Sequence, residues 1–164
     1  MSEGITEQIV MLIQKAHITD PQLHEKTRML MLDHIASSFA GYQYNVQFNK
    51  AIENIYVNLQ GNMESAFFMG SGKLPVCTAA FMNAIYAHGA DMDDGHRGAM
   101  GHIGASVISA VAALADCIEV TEYEVMEAVI IGYQVFARVA MSAQPGIVKR
   151  GFHSTAIAGT IACA

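Results

Sequence analysis

The densest group of polar side chains lies between positions 88 and 102, where the sequence reads HGADMDDGHRGAMGH. This segment holds three aspartates, three histidines and one arginine, and it connects two apolar segments. Carboxylates and imidazoles next to an apolar core can have pKa values near neutrality, which general acid–base catalysis requires. The composition fits equally well a solvated loop whose aspartates cap the helix that follows.

A metal site is a third interpretation of the same segment. His88, Asp91, Asp93 and His96 carry imidazole and carboxylate groups, and both kinds of group bind metal ions. Their spacing matches no established ligand pattern, so we predict no metal site from the sequence.

Two longer segments carry a more specific pattern. The first reads KLPVCTAAFMNAIYAHGADMDDGHRGAMGHIGASVISAVAALAD, and the second, near the last residue given, reads RGFHSTAIAGTIACA. Members of the MmgE/PrpD family typically show an AAxxNxxxAHxxDxDD run, a histidine shortly after it, an alanine-rich helix and a later GFH(P/S)T motif. The chain therefore resembles this family over essentially its whole length, and more weakly before Gly70.

The resemblance implies a fold and a chemistry. The family includes 2-methylcitrate dehydratase, cis-aconitate decarboxylase and iminodisuccinate epimerase. A large helical domain joins a smaller α+β lid domain, usually in a homodimer, and no metal or organic cofactor is generally required. Substrates are small di- or tricarboxylates, and a base removes a proton alpha to a carboxylate while cationic or hydrogen-bonding groups stabilise the developing charge. We expect a lyase that dehydrates a 2-methylcitrate-like hydroxy acid, with decarboxylation and epimerisation as open alternatives.

The resemblance also assigns candidate residues by position. Asp91 begins the DxDD motif, His102 matches the histidine that follows it, and His153 matches the histidine of the GFH(P/S)T motif. These three are the predicted catalytic residues, and Asp93 and Asp94 are also expected to fix the loop or cap the following helix. The predicted substrate-binding residues are neighbouring imidazole, carboxylate and guanidinium groups, namely His88, Asp94, His96, Arg97 and Arg150.

Two positions differ from the family pattern. Gly95 stands where many relatives have threonine directly after DxDD, which removes a hydroxyl that could bind substrate. Ile103 stands where relatives usually have proline after the second histidine. The first difference predicts another substrate or an altered pocket, and the second a change of loop geometry.

Composition and charge argue against other classes of protein. Hydrophobic residues make up 52% and charged residues 15%, so we expect part of the surface to contact protein, as in a homo-oligomer. The formal net charge is −6, and the scattered lysines and arginines argue against nucleic-acid binding. The sequence has no uninterrupted apolar run of about 20 residues, so no membrane partner is expected. Three widely spaced cysteines predict neither a disulfide framework nor a zinc site, and a cytoplasmic location fits best: Cys77, Cys117 and Cys163.

The elements around the candidate residues predict an all-α helical bundle. The local evidence includes Asp20-Pro21 as a helix start and Thr121 with Glu124 as a capping box. An extended stretch at 66–69 is expected within the loop 61–74. The predicted helices span 2–17 with Ser2 as the cap, 20–41, 46–59, 75–89, 103–117, 121–142, and 152 onward.

The last predicted helix is still apolar at Ala164, which indicates a truncated chain. We therefore expect a single truncated domain over 1–164, without the lid domain and with little or no turnover on its own. The alternative is a non-enzymatic helical protein that keeps the scaffold and associates through exposed apolar helices.

Overall fold

The computed structural model describes residues 4–56 and 61–164. Across these residues it contains eight helices and one two-stranded sheet, which confirms the all-α prediction. Strands β1 (Ser65–Ala66) and β2 (Lys73–Leu74) pair antiparallel. The helices are α1 (Ile5–Gln14), α2 (Pro21–Tyr44), α3 (Val46–Tyr56), α4 (Val76–His88), α5 (Gly104–Ala115), α6 (Glu122–Ala143), α7 (Gly146–Lys149) and α8 (Ser154–Ala162).

Local capping signals fix several helix ends where the sequence predicted them. The Asp20 carboxylate accepts a hydrogen bond from Gln22 N at 2.9 Å at the start of α2. Thr121 and Glu124 form the predicted capping box, in which the Glu124 carboxylate accepts from Thr121 N at 2.8 Å. Helix α4 follows Pro75, as predicted.

Other ends differ from the prediction. Helix α2 continues past Gly41 to Tyr44 because Gly41 marks a crossing with α4 rather than a helix end. A Cβ at position 41 would lie 2.0 Å from the carbonyl oxygen of Tyr86 in α4. The last helix ends at Ala162 with Cys163 as its C-cap, whereas the sequence predicted a helix through Ala164.

The remaining differences are smaller. Helix α1 ends at Gln14 rather than near His17, and the extended pairing involves 65–66 and 73–74 rather than 66–69. Helix α7 was not predicted. The predicted Ser2 cap and the predicted end of the third helix at 57–59 lie outside the described residues.

Two buried clusters hold the two ends of the loop that follows α4. Tyr86, near the end of α4, packs in the first cluster, which also contains Phe67, Leu74 and Met82. The second cluster joins α5, α6 and α8 and includes Ala99, Ile103, Val107, Phe136, Ala140 and Ala158. The loop between α4 and α5 is therefore anchored at both ends by apolar packing.

Helix α2 buries small and polar side chains and exposes apolar ones. His34 is 2% exposed and Ser38 is 0% exposed, whereas Leu32, Ile35 and Phe39 are 62%, 43% and 57% exposed. The apolar pattern that predicted this helix therefore lies largely on its outer face, which leaves an apolar surface without a partner in the described chain.

Helix α6 is long and apolar enough to cross a membrane by length and composition. One third of its most apolar window is buried (33%), and the helix contacts α2, α5 and α8. A central helix of a bundle meets the same criteria, so length and composition do not decide between the two settings.

Candidate active site

The loop from Gly89 to Ile103 folds back on itself through an isolated bridge. His96 N donates to Gly101 O at 2.9 Å, and Met100 N donates to His96 O at 2.8 Å. The His96 ring accepts a hydrogen bond from Ala99 N through Nδ1 at 3.0 Å. The structure thus uses the His96 imidazole within the loop.

Two residues of this loop have left-handed backbone conformations. Asp91 has φ 53° and Met100 has φ 52°. Residues other than glycine, asparagine and aspartate rarely adopt this backbone conformation, because it costs of order 1–3 kcal/mol of conformational energy. The anchored ends of the loop hold this geometry in place.

Four side chains meet where α4 ends and α5 begins, and we call them the His–Asp cluster: His88, Asp91, Asp93 and His102. Asp93 Oδ1 lies 2.9 Å from His88 Nδ1 and 3.4 Å from His102 Nδ1. Asp91 Oδ1 lies 3.6 Å from His102 Nε2. The centroids of the two imidazole rings are 4.7 Å apart. Each nitrogen of His102 therefore faces a different carboxylate.

Asp93 is the buried centre of the His–Asp cluster. Its side chain is 1% exposed, and its Oδ2 has no hydrogen-bond partner among the described residues. His34 of α2 lies close enough to Asp93 for the negative charge of Asp93 to affect its pKa. Burial lowers the pKa of His34 to about 4, while the negative charge of Asp93 acts in the opposite direction. From the sequence, Asp93 was expected to fix the loop or cap a helix and was weighed as a metal ligand, but its central position between two imidazoles was not predicted.

Asp94 points away from its neighbour and joins two helices. Its carboxylate accepts from Gly104 N at 2.8 Å, at the start of α5, and from Tyr133 Oη at 3.1 Å, in α6. Burial raises the pKa of Asp94, whereas these two hydrogen bonds lower it. Asp94 was predicted either to bind substrate or to fix the loop or cap the following helix, and its hydrogen bonds to Gly104 N and Tyr133 Oη agree with the second role.

The start of α8 reaches the backbone of His102. His102 N donates to Thr155 Oγ1 at 2.9 Å. His153 precedes α8 and is exposed, and no hydrogen bond or ion pair joins its side chain to any described residue. The structure therefore brings Asp91 and His102 together and places the segment of His153 beside them without a contact from its ring.

The predicted cations do not neutralise the cluster. Arg97 and Arg150 are exposed, and in the described part of the chain neither forms an ion pair. Within the same residues, no lysine or arginine pairs with Asp91 or Asp93. In the part of the chain that the structure describes, Asp91 and Asp93 pair with imidazoles alone.

A wide apolar groove of about 990 Å³ begins at His88. Residues of α4, α5 and α8 line this groove, and several of them are small, such as Ala84, Ala110 and Gly159. The cluster therefore sits between a polar loop and an apolar groove.

This arrangement supports two kinds of chemistry. Imidazoles paired with carboxylates can accept and donate protons. The four side chains of the His–Asp cluster also offer metal-ligand atoms that lie within 4.8 Å of one another. The ligand set weighed from the sequence contained His96, but His102 takes its place because the His96 ring binds the backbone of its own loop.

Comparison with known proteins yields one family. The family model described as the MmgE/PrpD N-terminal domain matches residues 7–164. No curated protein matches the chain at a significant level.

Proposed function

Because the chain belongs to the MmgE/PrpD family, which includes lyases, we propose that it serves dehydration of a small hydroxy di- or tricarboxylate of the 2-methylcitrate type. The observation that carries the proposal is the position of His102, whose Nε2 faces exposed Asp91 and whose Nδ1 faces buried Asp93. An imidazole held between two carboxylates is suited to removing a proton and stabilising the cation that results.

The proposed reaction assigns a role to each of these groups. The negative charge of Asp93, whose Oδ1 lies 3.4 Å from Nδ1 of His102, favours the tautomer with the proton on Nδ1, so Nε2 keeps its lone pair for the substrate. Nε2 removes a proton alpha to a substrate carboxylate, and the electron pair of that C–H bond forms the double bond as the C–O bond to the hydroxyl breaks. The imidazolium donates its proton to the departing hydroxide, and water leaves. Asp91 and Asp93 stabilise the imidazolium between these steps.

Substrate recognition requires positive charge, because the cluster and the substrate are both acidic. We propose that the exposed guanidinium groups of Arg97 and Arg150 attract the substrate carboxylates and that the His88 imidazole donates a hydrogen bond to the substrate. His153, which precedes α8 beside the His102 backbone, remains a proposed catalytic residue.

The test uses binding and proton exchange as separate measurements. The chain is titrated with 2-methylcitrate, citrate and succinate while the histidine resonances are followed by NMR, and deuterium incorporation from D₂O is then measured. We expect saturable binding, with any exchange reduced by about 10²–10⁴-fold in His102→Gln. His17→Gln is the matched control, since His17 is 75% exposed and faces a carboxylate, Glu127, at 3.6 Å.

Two outcomes would contradict the proposal. One is failure of the chain to bind any of these acids, and the other is measurable exchange that is equal in His102→Gln and in the unmodified chain.

The exposed apolar face of α2 favours a second candidate, a helical protein that functions through association, including homo-oligomer formation. Light scattering of Leu32→Lys against the unmodified chain tests this candidate. A lower mass for the variant, together with absence of carboxylate binding, would favour association over catalysis.

A further inference from the structure

The His–Asp cluster has the composition and the dimensions of a site for a transition-metal ion. Imidazole nitrogens and carboxylate oxygens are the ligands that bind Zn²⁺ in proteins at about 2.0–2.2 Å. Tetrahedral ligands at that distance lie about 3.3–3.6 Å from one another. Asp93 Oδ1 lies 2.9 Å from His88 Nδ1 and 3.4 Å from His102 Nδ1, which is close to this range, and one ligand atom from each of the four residues fits within 4.8 Å.

A second observation, independent of the ligand types, is the unpaired carboxylate oxygen at the centre of the cluster. Asp93 Oδ2 has no hydrogen-bond partner among the described residues although the side chain is 1% exposed. His102 Nδ1 is also buried without a hydrogen-bond partner in the same part of the chain. Buried polar atoms are normally paired, and an unpaired carboxylate oxygen is costly unless a cation approaches it.

Charge balance leads to the same ligand. Asp91 and Asp93 together carry two negative charges, and no described lysine or arginine side chain forms an ion pair with either of them. A divalent ion between two carboxylates and two neutral imidazoles gives a site with no net charge. Asp91 is 79% exposed, so an ion can enter from solvent.

We propose that His88, Asp91, Asp93 and His102 bind one divalent transition-metal ion of the Zn²⁺ class. With Nδ1 of His102 bound to the ion, the ring proton lies on Nε2, so Nε2 has no lone pair for the proposed dehydration and the ion blocks the acid–base role rather than assisting it. Mg²⁺ binds weakly, because it prefers an octahedral set of oxygen ligands and keeps its water. Zn²⁺ would thus act at this site as an inhibitory ligand.

The experiment measures binding without turnover. ZnCl₂ is titrated into the chain by calorimetry, and Co²⁺ is added in parallel so that the visible absorption reports the ligand set. Both use a Cys77→Ser/Cys163→Ser background, because these exposed thiols could bind the ions themselves. We expect one ion per chain and affinity reduced by about 10–100-fold or more in Asp93→Asn, His88→Gln and His102→Gln.

His17→Gln is the control, because it removes an imidazole that also faces a carboxylate but lies outside the cluster. Circular dichroism checks the fold of each variant, and the half-exposed His88 and His102 carry the test where Asp93→Asn fails to fold. Equal affinity with and without His102→Gln in the Cys77→Ser/Cys163→Ser background, or no saturable binding in that background, would overturn the proposal. If replacing Cys77 and Cys163 by serine is by itself enough to abolish binding, the proposal is overturned as well. Since turnover is not measured, a negative result leaves the proposed lyase function unaffected.

Discussion

Replacing Gly41 by alanine tests whether the crossing of α2 and α4 positions the cluster. Two effects of opposite sign compete. Alanine is favoured over glycine in a helix interior by about 1 kcal/mol, so helix propensity alone predicts a more stable protein. The new Cβ would lie 2.0 Å from Tyr86 O and 3.1 Å from the backbone N and Cα of Gly89, so packing predicts a less stable one.

The geometry decides which effect is larger. Carbon and oxygen atoms in favourable contact lie about 3.3–3.6 Å apart, so the two helices must separate by more than about 1 Å. Overpacking typically costs about 1–3 kcal/mol, and occasionally more. The atoms that meet Cβ belong to the backbone and cannot rotate away, which places this site at the upper end. After subtracting the helix propensity, we expect a net destabilisation of about 2 kcal/mol.

Urea unfolding followed by circular dichroism measures this change, and the histidine NMR spectrum reports displacement of His88, which immediately precedes Gly89. Gly146→Ala is the matched control, because only the far end of Arg150 lies within 4 Å of the added Cβ, at 3.8 Å. The control should change stability by less than about 1 kcal/mol. A Gly41→Ala protein as stable as the unmodified chain, or more stable, would refute the close crossing.

Two further predictions concern buried polar groups. Tyr133→Phe leaves one oxygen of Asp94 without its hydrogen-bond donor and should destabilise the fold by about 1–3 kcal/mol in urea unfolding, so unchanged stability would contradict the contact between α6 and this loop. The pKa of His34 falls to about 4 on folding, so the unfolded chain binds more protons between about pH 6.5 and 4, and stability should decrease as the pH falls through that range. His34→Gln should remove this part of the pH dependence of the unfolding free energy, whereas His17→Gln should keep it; the same slope in both variants would show that His34 is not the group responsible.

Local signals in the sequence were sufficient for several helix ends. Asp20, Thr121 and Glu124 act through hydrogen bonds within one turn, so their neighbours in sequence determine the outcome. Gly41 could not be interpreted in that way. Glycine is favoured both at helix ends and at close helix crossings, and only the position of α4 distinguishes the two.

The candidate site also shows that local sequence does not determine which way a side chain faces. Asp93 and Asp94 are adjacent identical residues, yet one faces two imidazoles and the other joins α5 to Tyr133 of α6. Their directions depend on the left-handed turn at Asp91 and on the packing of Ile103, which no local pattern contains. The motif predicted that Asp91 and His102 belong to one site, whereas the exchange of His96 for His102 in the cluster required the folded loop.

The two residues of this loop with left-handed backbone conformations differ in how their substitution affects stability and ligand binding. Met100 has φ 52° and lies outside the cluster, so glycine or asparagine at this position should relax the backbone at little functional cost. Glycine at Asp91, where φ is 53°, would relax the backbone in the same way but would remove the exposed carboxylate opposite His102. Selection for thermal stability alone would therefore accept both substitutions. An assay of ligand binding is needed to show that Asp91→Gly has removed a group of the site.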